Sequence, residues 1–336
     1  MTEFPADDRR VYDAYIAGRQ SAALAAGVRC GLFDLLDRDG PVSGADLAQR
    51  LDLAPRPTEG LLACLAGMGL LLRSEQGYRL SEDSKAYLVR GRPGSLWALI
   101  DMEVENFLSP ASLLEALRTG RPSVYGDQDP WDAHGRDSGQ AEVFTRAMHS
   151  VSERPAAGLA ELCVFGSGER VLDVGGGSGA LSIAICRENT GVQCTVFDLE
   201  PVCRSAAEFV EEAGLSDRVT TAVGDFFAPE WPVGHDTVLL SQILHDWSLE
   251  TGRELLERAF RALPSGGRVL IHEKLVRDDD TGPLANLLVH LDMAVWTEGQ
   301  QYRASDAKRS LESVGFGEVS VQSTVGYWSV VEARKP

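Results

Sequence analysis

The residues of this chain whose types and spacing can do chemistry gather at a few points: Asp173-Val-Gly-Gly-Gly-Ser-Gly179, Asp198, Asp225-Phe226, Ser241-Gln242, His245-Asp246 and Glu273. A turn holding Gly175, Gly176, Gly177 and Gly179 leaves backbone bare, so a ligand can approach N–H groups directly. Glycine spacing alone does not separate a dinucleotide from a nucleoside. The acids narrow the choice. A carboxylate ending the next strand suits a ribose diol, because it accepts from both hydroxyls. Asp225 followed by Phe226 suits an adenine, with the amino group on the carboxylate and the ring against the aromatic side chain.

These groups need a scaffold that brings strand ends together, and the second half of the chain supplies its pattern. Apolar runs at Arg170–Val174, Cys194–Asp198, Val219–Val223, Thr237–Ser241, Val269–Glu273, Val319–Ser323 and Trp328–Ala333 alternate with helices that start near Ala180, Val202, Leu249 and Ser305. Such alternation predicts an α/β fold, a mostly parallel sheet with helices on both faces, whose functional groups collect at the carboxyl ends of strands. The first half reads differently. Residues 11–36 carry apolar side chains at spacings of three and four, and many alanines suited to close helix packing. Ser43 is placed to cap a helix over 45–50, a second helix starts at Pro57, and Leu70–Arg73 with Tyr78–Leu80 forms a hairpin. That order predicts a winged helix over residues 1–100. A helical linker and lid region over 101–166 and a catalytic Rossmann-like domain over 167–336 complete the expected organisation. The turn-rich stretch from Arg118 to Trp131 is the candidate lid. Arg118, Arg121 and Arg146 are the cations suited to an anionic substrate.

Composition excludes several functions. The net charge of −18 over 336 residues includes no basic stripe, and the segment from Pro57 to Leu72 is largely apolar. A nucleic-acid reader would need basic side chains there, so the winged helix is expected to dimerise the chain instead. Six cysteines lie scattered in apolar stretches without Cys-x-x-Cys spacing, as for reduced thiols in a cytoplasmic protein. The first residues carry no export signal, and no run approaches a membrane-spanning length.

Val171-Leu-Asp-Val-Gly-Gly-Gly-Ser-Gly179, Asp198-Leu-Glu-Pro201, Gly224-Asp-Phe-Phe227 and Leu244-His-Asp-Trp247 occur in the order and spacing of the S-adenosylmethionine-dependent small-molecule O-methyltransferases of plants and actinobacteria. The chain resembles that family over nearly its whole length. The resemblance implies S-adenosylmethionine bound at Asp173, Gly175, Gly177, Asp198, Leu199, Asp225 and Phe226, with Ser241 near its amino-acid end. It implies His245 as the general base toward a phenol, oriented by Asp246, and a homodimer formed through the N-terminal domain.

One segment departs from the pattern. His290-Leu-Asp-Met-Ala-Val-Trp296-Thr-Glu-Gly-Gln-Gln-Tyr302 lacks the glycine pair of the family's late loop and looks like the branch that methylates the β-carbon of α-keto acids. That likeness implies a divalent transition metal, zinc or iron, held by His245 and His290 with Gln242 as an oxygen ligand. A β-carbon beside a ketone is too weak an acid for an unaided imidazole, so a Lewis acid would be needed to stabilise the enolate. On this reading Arg146, His149, Gln242, Trp296 and Tyr302 surround the substrate, and Glu273 or Asp292 orients the histidines. The alternative is metal-independent methylation of a phenol or other hydroxyl of a secondary metabolite, with His245 as base.

Overall fold

The computed structural model describes residues 7–103, 109–123 and 138–336, the side chains of 138–144 excepted. The chain forms two compact units, Met1–Phe107 and Leu108–Pro336.

In the first unit a 21-residue helix α1 (Arg9–Arg29) gives way at Gly31, which takes a left-handed φ of 75°, to α2 (Leu32–Asp39). The expected winged helix follows. Ser43 caps α3 (Gly44–Arg50), its hydroxyl accepting from Asp46 N at 3.1 Å. Pro55 opens α4 (Pro55–Gly67), and β1 (Leu71–Ser74) pairs antiparallel with β2 (Gly77–Leu80). Val42 adds a bridge to Tyr78, and the backbones run so close that a Cβ on Gly77 would enter the Val42 carbonyl. Phe33, Leu36, Leu47, Leu62, Leu65 and Leu71 form the core of this unit. Two further helices, α5 (Glu82–Tyr87) and α6 (Trp97–Glu103), end its described part.

The second unit opens with α7 (Pro110–Thr119) and α8 (Ser138–Leu162). The expected separate piece over 101–166 therefore does not stand alone. Ala156, Leu159 and Ala160 of α8 are buried in the core beneath the sheet, which makes the helix part of the catalytic unit. Then follow β3 (Arg170–Val174), α9 (Ala180–Glu188), β4 (Gln193–Asp198), α10 (Glu200–Glu212), β5 (Val219–Val223), β6 (Thr237–Ser241), α11 (Leu249–Ala262), β7 (Arg268–Glu273), α12 (Leu284–Trp296), α13 (Ala304–Val314), β8 (Gly317–Ser323) and β9 (Ser329–Arg334).

The seven strands lie in the order β5-β4-β3-β6-β7-β9-β8. β3 to β7 pair in parallel, while β9 runs antiparallel between β7 and β8. Strand alternation divides the core in two. Leu172, Val174, Val238, Leu240, Val269 and Ile271 face one helical layer, and Val171, Val196, Leu239 and Leu270 face the other. Central strands covered on both faces must be apolar throughout, which is why they read as continuous runs. Sequential strands diverge between β3 and β6, and that switch point is where such sheets hold ligands.

Candidate active site

The loop after β3 is built for close approach. Gly175, Gly177 and Gly179 take left-handed φ of 63°, 56° and 76°. A Cβ on Gly175 would collide with Ile243 and stand 3.4 Å from Phe226, so this turn touches the loops after β5 and β6 at once. Around Gly177 the space is open, with nothing within 4 Å of a would-be Cβ. Asp173 lies beneath the turn, accepts from the Ser182 hydroxyl at 2.7 Å, and is pushed by burial up to about 6. Asp198 accepts from Gly177 N at 2.9 Å and from Leu199 N at 2.7 Å. Burial raises its pKa, opposed by these two bonds. Each carboxylate oxygen keeps a lone pair, so a diol can still be received. Asp225 is exposed and accepts from Phe227 N at 2.7 Å. Phe226 is half-buried, within 4.9 Å of Phe227 and 6.3 Å of Trp247 between ring centres. Open backbone, two acids with spare acceptors and an aromatic wall together fit an adenosyl group.

The proton-handling groups stand beside this crevice. Gln242 leaves β6 in a left-handed conformation, φ 57°, and the chain then closes a 3-10 turn, Leu244–Asp246. Glu273, the last residue of β7, is fully buried and receives two groups from that turn: Ile243 N at 3.1 Å and His245 Nδ1 at 2.7 Å. A carboxylate accepts only, which assigns the Nδ1 proton to this bond and leaves Nε2 as the outward atom. Asp246 Oδ1 stands 3.6 Å from Nε2. The orienting acid is thus Glu273, whereas Asp246 contributes charge without a hydrogen bond to the ring. Burial opposes the charged imidazole, but the charges of Glu273 and Asp246 and the Glu273 hydrogen bond outweigh it and raise His245 to about 9. Asp246 is raised by burial to about 6, against the pull of His245.

The other expected site residues are placed as follows. Tyr302 is wholly buried among core side chains, its hydroxyl end against Gly252. Its hydroxyl lacks a partner, and burial raises its pKa. Ser241 shares a 3.1 Å bond with His272, which burial holds down to about 3. Gln242 donates through Nε2 to Ser152 Oγ at 3.2 Å, which ties its amide to α8. Arg146 lies over the Phe209 ring, 3.8 Å from Glu208. His149 stacks on Phe209 and shares a 2.7 Å bond with Ser178. Trp296 ends α12 half-buried, and His290 is half-buried on the same helix with Nδ1 unpartnered. Arg118 and Arg121 are exposed; Tyr125 and the rest of the expected lid, residues 124–131, lie outside the described residues. Among the described residues no group of three or more His, Cys, Asp or Glu side chains is arranged to hold a metal ion.

Sequence reasoning missed Gln301. It is 1% exposed with neither amide atom bonded, on a segment whose Gly299 abuts the backbone of His245 and Asp246. Gln301 stands between Gln300 and Tyr302 in a stretch without a period, so the sequence gives no sign that its amide turns inward. A depression of about 630 Å³ around Glu169, Asp236 and Arg268 opens at the opposite, amino ends of the strands, away from all of these groups.

A doubly wound sheet with an adenosyl-shaped crevice and a carboxylate-held histidine beside it defines a class I methyltransferase architecture. The O-methyltransferase domain profile matches residues 111–317, and the O-methyltransferase dimerisation domain matches residues 14–90. The chain is 37% identical to 3-hydroxy-5-methyl-1-naphthoate 3-O-methyltransferase of Streptomyces sahachiroi, covering 89% of this chain and 87% of that protein. It is 30% identical to the tetracenomycin polyketide synthesis 8-O-methyl transferase TcmO of Streptomyces glaucescens, over 94% of this chain and 93% of the relative. The crystal structure of human N-acetylserotonin methyltransferase in complex with SAM superposes with a TM-score of 0.88 at 28% identity, covering 99% of each chain. This chain belongs to the O-methyltransferase family and is an S-adenosylmethionine-dependent methyltransferase. The expected likeness to the β-carbon-methylating branch gives way: the matching profile and these two Streptomyces relatives are those of oxygen methylation. No helix among the described residues is long and apolar enough to cross a membrane.

Proposed function

We propose that the protein methylates a hydroxyl of an aromatic secondary metabolite, a phenol for preference, with His245 as general base. The observation that carries this reading is the 2.7 Å bond from His245 Nδ1 to the fully buried Glu273. It fixes the ring and directs Nε2 outward. A base whose conjugate acid titrates near 9 is close to matched to a phenol of pKa about 10, so the proton moves with little thermodynamic cost. The named activities of the Streptomyces relatives, 3-O-methylation of a hydroxynaphthoate and 8-O-methylation in polyketide synthesis, support the same acceptor class. S-adenosylmethionine, when bound, supplies an electrophilic methyl group. The turn from Gly175 to Gly179, Asp198 and Asp225 with Phe226 hold the donor. Glu273 orients His245, and Asp246 beside Nε2 favours the imidazolium once the hydroxyl proton has been taken. Trp296 and His290 on α12 border the acceptor side.

We further assign a homodimer formed through the N-terminal unit, on the match to the dimerisation domain. Six unpaired cysteines, three of them buried, fit a reducing, cytoplasmic setting, and the net charge of −18 fits a protein without nucleic-acid partners.

The test is a panel of hydroxynaphthoates and polycyclic phenols with S-adenosylmethionine, scored by release of the demethylated donor before and after exhaustive chelation. We expect O-methylation unchanged by chelation and reduced about 10²- to 10⁴-fold in His245→Ala. Loss of turnover on metal removal, restored by zinc or iron, would overturn the reading.

A further inference from the structure

Ser178 is the only residue between Gly175 and Gly179 that has a side chain. Glycines on either side of it, both at left-handed φ, give the turn its shape but no side chain by which to hold it. Ser178 is 5% exposed, and its hydroxyl is bonded at 2.7 Å to Nδ1 of His149 on α8. The imidazole is itself fixed, lying parallel to the Phe209 ring of α10 at 4.0 Å and an interplanar angle of 12°. One helical turn further along α8, Ser152 accepts from Gln242 Nε2 at 3.2 Å, at the head of the loop after β6. The loops after β3 and β6 are the two that part at the switch point of the sheet.

We propose that His149 is a positioning residue for the methyl-donor turn, holding Ser178 while Ser152 holds Gln242, so that α8 braces the two sides of the crevice. The inference rests on the reading of that crevice as the S-adenosylmethionine site, and it moves His149 from the substrate to the donor. The tie lies one residue from Gly177, whose N–H is bonded to Asp198 at 2.9 Å, so Ser178 and the ribose acid are coupled through a single peptide. Burial, then the neighbouring charges of Arg187 and Arg146, keep His149 down at about 4, and the ring stays neutral through the physiological range. A turn rich in glycine loses much freedom when a ligand orders it, and a pre-formed tie removes that cost before binding.

His149→Phe keeps the stack on Phe209 and removes the nitrogen; Ser178→Ala removes the same bond from the other side. Calorimetric titration with S-adenosylmethionine and S-adenosylhomocysteine should show each variant binding about three- to tenfold more weakly, the scale of one hydrogen bond. The double variant should be no weaker than either single one, because both remove one interaction. The KM for the phenolic acceptor should stay unchanged. Unaltered donor affinity in Ser178→Ala, additive losses in the double variant, or a lowered melting temperature with unaltered affinity would each overturn the brace. Wild-type protein that binds neither ligand would overturn the donor site as well.

Discussion

His245 is held between two acids, and its titration is the most direct probe of what it does. Its pKa is raised from 6.5 to about 9 in the folded protein, so the interaction stabilises the fold fully below pH 6.5 and is lost as pH rises through about 9. Activity runs the other way, since only the neutral ring accepts a proton: kcat/KM for the acceptor should climb with an inflection near 9. Replacing Glu273 by Gln removes the larger of the two charges that raise the group. The inflection should move to lower pH, kcat should fall by at least about tenfold, and the difference in melting temperature between wild type and variant should shrink between pH 7 and 9.5. A pH profile of both proteins decides this. His245 was legible in the sequence from its place after a strand, and Glu273 from its place at the end of the next. Tyr302 was not, because 297–303 has no period to say which side chains turn inward. His290 misled for a related reason: a lone histidine on a helix says nothing about whether further donors converge on it.

At the level of elements, the loops after β3, β5 and β6 meet at Gly175, and the segment after α12 meets the last of them at Gly299. Gly175→Ala would force a side chain onto left-handed backbone and into Ile243, at a cost of about 1–3 kcal/mol. We expect donor binding to fail in calorimetry before the fold does. Gly299→Ala would press on the His245 carbonyl and the Asp246 backbone. There the expected result is a fall in kcat with donor affinity retained, measured by turnover beside the same titration. Strand positions were readable because continuous apolar runs must be central strands. The contacts of α8 were not: His149 meets Ser178, and Ser152 meets Gln242, through packing across long stretches of chain that no local pattern encodes.

For the whole molecule, the first unit presents Val11, Tyr12 and Tyr15 on α1 at 75%, 56% and 65% exposure. Large apolar side chains so displayed on a segment partly within the dimerisation match suit burial by a second copy. Tyr12→Glu with Tyr15→Glu should shift the protein from dimer to monomer by light scattering, with donor affinity unchanged. The winged helix and the alternating strands and helices beyond Gly168 were legible as separate patterns; the membership of α8 was not, since only packing reveals which core a helix joins. The order of the sheet carries one more consequence, for how the protein is made. β9 lies between β7 and β8, and Trp328, just before it, stacks on His272. Until residues 329–334 have been synthesised, β7 has an open edge and β8 has no neighbour, although the Gly-rich turn and the histidine are long since in place. A nascent chain therefore carries every chemical group of the active site before it can close its sheet. During that interval the uncovered β7 edge is open to edge-to-edge aggregation.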